Sequence, residues 1–338
     1  MRLCQIRGGT AYFTPSVRVD RGRFCIERGC RMLATAMDVL EQFPVRKTKL
    51  QKQQFRNEIQ RYGQNLGYRV TVEKGSFGSK NLIIGNPETA EYVVTAHYDT
   101  PARMFLPNFV TPCNIVIYLA YQFAVVFVIL AVALAVSYGI CRLLHLQEQV
   151  LLVMYIVYLG LFALMMFGPS NPSNANDNTS GVVTVLEMAA SMPQVHRSKV
   201  CFVLFDMEEL GLIGSASYRK MHKKQTQRQV ILNLDCVGDG DEIVMFPTDK
   251  LKNRAAKLAN IDRVCGKFGK KTLRLHRKGV AICPSDHKNF PYAVGIMAFH
   301  NKKGLGLYCN RIHTKRDVNL DPTNVNILRA ALITLICQ

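Results

Sequence analysis

Val200-Cys201-Phe202-Val203-Leu204-Phe205-Asp206-Met207-Glu208-Glu209-Leu210 runs from six apolar residues straight into three acids. An apolar run of this length, rich in β-branched and aromatic residues, predicts a strand buried on both faces. Strands of that kind belong to sheets covered by helices on both sides. Such a strand does not deliver adjacent carboxylates to its end without a cationic partner, because unpaired buried charge is costly.

Outward from this strand the pattern repeats. Residues 68–72, 81–84, 91–97, 230–235 and 242–246 read as further short strands, and residues 31–67, 181–192, 250–268 and 323–337 as helices. Near-continuous apolar strands alternating with helices predict an α/β fold with a mostly parallel central sheet flanked by helices. One long insertion interrupts it. Residues 104–141 and 149–176 carry no formal charge, and each contains an apolar stretch of about 20 residues, the length that crosses a bilayer core. A transmembrane helical hairpin over residues 112–168 is expected, with helices at about 114–139 and 149–168. It divides the α/β body into residues 1–111 and 169–338.

Composition agrees with a membrane part. Of 338 residues, 49% are hydrophobic and only 20% charged, while the net charge is +19. The basic residues are spread widely and no recognition motif accompanies them, so no nucleic-acid partner is expected. Attraction to the anionic head groups of a lipid bilayer fits better. The 11 cysteines form no Cys-x-x-Cys pair, the closest spacing being Cys25 to Cys30, and several sit inside apolar runs. That usage fits a reducing compartment. Met1 to Gly9 shows no apolar core of a signal peptide. A two-helix membrane protein with its α/β body in the cytoplasm is therefore expected.

Metal-binding residue types recur at the ends of these elements. His97-Tyr98-Asp99 closes a strand, and alternation puts His97 and Asp99 on one side, where Asp99 can hold the imidazole while its other nitrogen binds a metal. Asp177 lies in the polar turn Asn174–Gly181, directly before a helix, where an N-cap cluster would look the same. Glu208 and Glu209, if extended, would point opposite ways, one toward a metal and one toward a substrate. Asp235 ends another strand, and His313 falls in a late loop.

Together, His97-x-Asp99, Asn176-Asp177-Asn178-x-Ser180-Gly181, Asp206-x-Glu208-Glu209-x-Gly211-Leu212-x-Gly214-Ser215, Asn233-x-Asp235, Ser285-Asp286-His287 and His313-Thr314-x-x-Asp317 resemble the co-catalytic zinc aminopeptidases. These are related to the bacterial leucyl aminopeptidases and the glutamate-carboxypeptidase-like zinc peptidases. The resemblance covers residues 50–110 and 170–338; the hairpin is a departure from it. It implies a zinc-peptidase, phosphorylase/hydrolase-like fold, with the parts on either side of the hairpin forming one catalytic domain. It also implies two Zn²⁺ per chain, with Co²⁺ or Mn²⁺ as possible substitutes. One ion would take His97 and Asp235, the other Glu209 and His313, with Asp177 bridging. Glu208 would be the general base toward a metal-activated bridging water, Asp99 a further catalytic residue, and peptides the substrates. Ser285, Asp286, His287, Phe290 and Tyr308 would line the substrate pocket. Two other roles fit the same scaffold: a glutaminyl-cyclase-like aminoacyltransferase, and a non-catalytic receptor or scaffold.

Overall fold

The computed structural model describes residues 37–277 and 279–338. The start of the first expected helix, the Cys25/Cys30 spacing and the Met1–Gly9 stretch lie outside them. The helix expected over 31–67 is two helices in the described part, α1 (Asp38–Gln42) and α2 (Lys49–Asn65). Pro44 separates them, because it cannot donate in a helix and disfavours a helical residue before it. Thr48 then caps α2, accepting from the Gln51 amide at 3.2 Å while the Gln51 side chain accepts from the Thr48 amide at 2.9 Å.

Strands β1 (Val70–Lys74), β2 (Lys80–Gly85) and β3 (Tyr92–His97) follow, then helices α3 (Ile115–Leu143), α4 (Val150–Phe167) and α5 (Gly181–Ser191). Next come β4 (Val200–Phe205), α6 (Ile213–Met221), α7 (Lys223–Thr226), β5 (Val230–Leu234) and β6 (Glu242–Pro247). The basic helix expected over 250–268 is instead α8 (Asp249–Lys252), α9 (Ala255–Arg263) and an edge strand, β7 (Gly266–Phe268). The chain ends with β8 (Lys271–Leu275), β9 (Ala293–Lys302), β10 (Gly306–Tyr308) and α10 (Pro322–Cys337).

Among the described residues the strands form one mixed sheet in the order β1-β2-β4-β3-β5-β9-β6-β8-β7, with β10 beside β9. Its centre, β4-β3-β5-β9, is parallel as expected. Antiparallel pairs, β2–β4 and β6–β9, flank it; further out β8 runs parallel to β6, and β1–β2 and β7–β8 are hairpins whose links, such as Gly75–Ser79, are short enough only to reverse the chain. Alternation along β4 sends Val200, Phe202 and Leu204 into the larger core and Cys201, Val203 and Phe205 into a second one. The larger core lies under α2, α5 and α10, and Tyr218 of α6 belongs to the other. β3 is followed by β4 on one side and β5 on the other. The strand order thus switches at β3, and the crevice beyond the carboxyl ends of strands at such a switch is where α/β sheets place their sites.

Helices α3 and α4 pack on each other and are long and apolar enough to cross a membrane, with mean hydropathies of 2.7 and 2.6 over their most apolar stretches. They are not core helices. Phe123, Phe127 and Leu151 are each more than 70% exposed. Helix α3 extends further than the expected end near 139 and takes in Arg142, a cation in the last turn that suits the helix dipole. Its buried positions, Ala133, Ser137 and Cys141, are small and spaced four apart, the stripe that allows close approach of a second helix.

A buried ion pair fastens α2 to the end of β4. Lys52 Nζ stands 2.6 Å from Asp206 Oδ1, and Asp206 Oδ2 accepts from the Lys80 amide at 3.0 Å. Removing one member of a buried pair strands the other charge. Lys52→Met is expected to cost about 3 kcal/mol in urea unfolding, and adding Asp206→Asn to recover part of that loss. An unchanged midpoint in the single variant would show that the pair does not hold this corner.

Candidate metal centre

The expected metal ligands arrive from five separate stretches, and the backbone explains why they meet. His97 is the last residue of β3 and pairs in register with Phe205, the last of β4. The Tyr98 amide continues the ladder to the Phe205 carbonyl at 2.9 Å. Asp99 therefore lies beside the turn that carries the paired glutamates. Its two carboxylate oxygens accept one bond each, from the Glu208 amide at 3.0 Å and the Glu209 amide at 3.2 Å. Glu208 and Glu209 are thus in a turn held by Asp99. The alternation expected for an extended chain does not operate there.

The polar turn before α5 is fully buried and is sewn to the loop after β5. The amides of Cys236, Val237 and Gly238 donate in order to Asn178 Oδ1 at 3.2 Å, Ser180 Oγ at 3.0 Å and Asn176 Oδ1 at 2.7 Å. These bonds bring Asp177 beside Asp235. Asp317 sets the turn from the other side, its two oxygens accepting from the Asn176 and Asp177 amides at 2.6 and 3.0 Å. Backbone strain is concentrated around these acids. Asn174, Met207, Leu212, Cys236 and His313 are non-glycine residues at positive φ, each at a cost of order 1 kcal/mol.

The resulting geometry divides Asp177 between two partners. Its Oδ1 lies 3.3 Å from His97 Nε2, which is 3.7 Å from Asp235 Oδ1. Its Oδ2 lies 2.9 Å from His313 Nε2, which is 3.6 Å from Glu209 Oε2. Two ligand atoms each about 2.1 Å from one zinc ion, at the tetrahedral angle, stand about 3.4 Å apart. Three of the four separations lie close to that value. The other nitrogen of His97, Nδ1, faces the Asp99 backbone carbonyl at 3.2 Å and its carboxylate at 3.6 Å, leaving Nε2 turned to the acids.

Electrostatics shows what the cluster lacks. Burial works to lower the His97 pKa, yet Glu208, Asp177, Asp235 and Asp99 together raise it well above the ordinary histidine value. His313 is raised by Asp177 and Glu208 against the same opposition from burial. Burial first, then neighbouring acids, pushes Glu208 and Glu209 well above the usual carboxylate range. Both histidines and both glutamates therefore favour holding protons. Glu209 Oε1 is buried without a hydrogen-bond partner. An orphaned buried acceptor, imidazoles crowded by carboxylates and an oxygen-rich donor set fit divalent cations such as zinc. The residues that could hold them are His97, Asp177, Glu209, Asp235 and His313.

The remaining expected residues divide. Ser285 Oγ accepts from Asn233 Nδ2 at 2.8 Å, which accounts for Asn233 preceding Asp235 in the motif. Asp286 is fully buried and pushed up to about 7, by burial first and with Asp99 and Asp235 adding to it. The buried His287 ring packs against Gly295, where a Cβ would come within 2.5 Å of it. Phe290 stacks on Phe205 in the second core. Tyr308 packs with Phe109 and His300.

Two residues were not anticipated. Cys236 offers Sγ within 4.8 Å of oxygens of Asp177 and Asp235. Arg46 is fully buried and donates to the Tyr98 carbonyl at 2.6 Å and Thr179 Oγ1 at 3.0 Å, with Asp99 and Asp177 as its nearest influential charges. A thiol following Asp235 and an arginine shortly after Pro44 were the only sequence signals, and neither carries a motif.

Asp99→Asn keeps the shape of the side chain but replaces one acceptor oxygen with a donor facing a backbone amide. The glutamate turn then loses an anchor, and zinc affinity measured by competition with a chromogenic chelator is expected to fall about 10- to 100-fold. Unchanged affinity would show that the turn holds itself.

Comparison with known proteins places this geometry. A 73-residue stretch is 44% identical to aminopeptidase YwaD of Bacillus subtilis (strain 168), covering 21% of this chain and 16% of that one. The match thus spans a small part of that relative's length. The fold is similar to that of Porphyromonas gingivalis glutaminyl cyclase, with a TM-score of 0.56 at 15% identity over 90% of this chain and 96% of the cyclase. It is also similar to a Zn-dependent exopeptidase from Parabacteroides distasonis, with a TM-score of 0.58 at 14% identity over 90% and 96%. At such identities these likenesses speak to the fold. The profile of peptidase family M28 matches residues 163–335, from the end of the hairpin to α10 and just over half of the chain. The chain belongs to peptidase family M28.

Proposed function

We propose that this chain is a membrane-anchored zinc aminopeptidase, with two zinc ions held by His97, Asp177, Glu209, Asp235 and His313. One observation carries the reading: Asp177 presents one oxygen to each of two histidine–carboxylate pairs. Zinc, when bound there, polarises the scissile carbonyl and acidifies the attacking water. Glu208, on a turn held by Asp99, has a carboxylate oxygen within 4.8 Å of ligand atoms of His97 and Asp235; in this reading it is left out of the ligand set and takes the proton from that water and passes it to the leaving amine. Cation binding offsets the burial and the neighbouring acids that together raise Glu208 and Glu209, so loading displaces protons and zinc affinity rises with pH. Peptides with a free amino terminus are the substrates in this reading.

The likeness to glutaminyl cyclases supports a second reading, cyclisation of N-terminal glutamine on the same scaffold. A panel of peptides varied at the first residue, with and without chelator, separates the two. Chelator-sensitive release of the first amino acid is expected. Glu208→Gln is expected to lower kcat about 10²- to 10⁴-fold while zinc stays bound. Ammonia release from glutamine peptides alone would favour the cyclase, and turnover of neither kind would leave a binding protein on the same fold.

The hairpin is read as the anchor. His97 comes before it and the other four ligands after it, so an even number of crossings returns both parts to one face of the bilayer. The +19 charge favours anionic lipid heads, and the cysteine usage a cytoplasmic body. The full chain is expected in the alkali-resistant membrane pellet, and a variant with residues 114–168 replaced by a short Gly-Ser loop in the soluble fraction. A full chain extracted by alkaline carbonate would sink the anchor.

A further inference from the structure

Beside the candidate metal centre lies a largely apolar pocket of about 410 Å³, bordered by residues whose charge is opposite to that of the centre. One wall is the loop Arg103–Pro107 after β3, and the other is Thr314–Arg316, directly after His313. The walls are joined by the Met104 amide, which donates to the His313 carbonyl at 2.7 Å. Arg103, Lys315 and Arg316 line it, all three exposed, and among the described residues none forms an ion pair with a carboxylate. Arg316 reaches only the Asn310 carbonyl, at 3.2 Å. Met104 and the 77%-exposed Phe105 supply an apolar surface.

Three like charges around one cavity repel one another, and they oppose the arrival of metal cations next door. Among the described residues no ion pair uses them. An anion at the mouth of this apolar cavity would be attracted by all three. Lys315 and Arg316 follow His313 by two and three residues, so the anion lies near whatever occupies the metal centre. An extended peptide advances about 3.5 Å per residue, which puts a carboxylate one or two residues beyond the scissile bond within the reach of long basic side chains.

We propose that this pocket binds a carboxylate of the substrate, so that the enzyme acts preferentially on short peptides whose free C-terminus, or an acidic side chain, follows within two residues of the cleaved bond. The inference rests on the peptidase reading above and names its substrate class. The apolar floor formed by Met104 and Phe105 takes the carbon skeleton that carries the charge. Guanidinium groups match a carboxylate with paired, charge-assisted hydrogen bonds.

The test uses the full chain in detergent, loaded with zinc, and dipeptides supplied both as free acids and as C-terminal amides, with several first residues. Two quantities are read for each pair: the ratio of kcat/KM, and the ratio of Kd for the Glu208→Gln variant, which binds without turnover. The free acid is expected to be favoured roughly tenfold in both, the size of one good charge-assisted contact at a partly exposed site. The substitutions Arg103→Gln, Lys315→Gln and Arg316→Gln together are expected to bring both ratios close to one. Parity in the unsubstituted protein, a preference untouched by the triple substitution, or no binding of either form overturns the proposal. If no peptide is turned over but the binding ratio behaves as stated, the peptidase reading fails and the carboxylate pocket stands. Phosphatidylglycerol vesicles form the remaining arm: loss of vesicle binding in the triple variant, with the acid-to-amide ratio intact, assigns the cations to lipid and overturns the proposal.

Discussion

Carboxylates gathered at one crevice repel one another, and the architecture around Asp177 is an answer to that repulsion. Glu208, Glu209, Asp286 and Asp317 are each pushed up, by burial first and then by neighbouring acids, among them Asp99, Asp177 and Asp235. Backbone amides offset part of the cost: Asp99 accepts from two, and Asp317 from two more. The buried Arg46 contributes a positive charge from below without pairing directly with any of the acids. Histidines take protons. What these devices leave over is an orphaned oxygen on Glu209 and a set of imidazole and carboxylate atoms at tetrahedral ligand spacings. A site of this kind is stable only if something cationic completes it, which links binding to the integrity of the fold around it.

The same constraint explains where strain is placed. Turns at Met207, Leu212 and Cys236 and the backbone of His313 itself adopt left-handed φ values that their side chains disfavour. Each flanks or carries a side chain of the acid cluster. The surrounding packing holds them. Gly214 lies so close to the Asp206 backbone that a Cβ would approach its carbonyl oxygen to 2.2 Å, and the Lys52–Asp206 pair closes that corner from α2. Rigid support from the sheet and helices is what allows a strained turn to present Glu208 and Glu209 at fixed positions.

Much of this was legible in the sequence, and the part that was not has a common cause. β4 and β5 could be read because strands buried on both faces are apolar throughout, and the hairpin because charge-free stretches of that length are rare. The acid and histidine positions that the structure gathers could be read because an acid at the end of a buried strand demands a cation nearby. β9 was hidden by Gly295 and by a polar end, His300-Asn301-Lys302, although its first part lies in the core. The role of Asp99 was only partly visible. Local alternation places it beside His97, but its two hydrogen bonds go to the Glu208 and Glu209 amides, more than a hundred residues away. That partnership follows from β3 lying in register beside β4, a fact of topology that no local pattern carries. Arg46 and Asp317 act in the same way, through neighbours distant in the chain.

The hairpin joins the site's geometry to its surroundings. The Arg103 amide donates to the Pro169 carbonyl at 2.8 Å, and Lys47 Nζ reaches the Met166 carbonyl at 3.4 Å. Tyr121 of α3 donates to the Pro107 carbonyl. The roots of both apolar helices are therefore stitched to the loops that border the candidate metal centre. A hairpin attached through a flexible tether would let the body drift relative to the helices. One rooted in the walls of the site fixes the direction in which that site opens. Movement of α3 and α4 would act on Arg103–Pro107 and, through the Met104–His313 bond, on the backbone of a candidate ligand. The apolar helices and the acid cluster are thus joined through the same short loops.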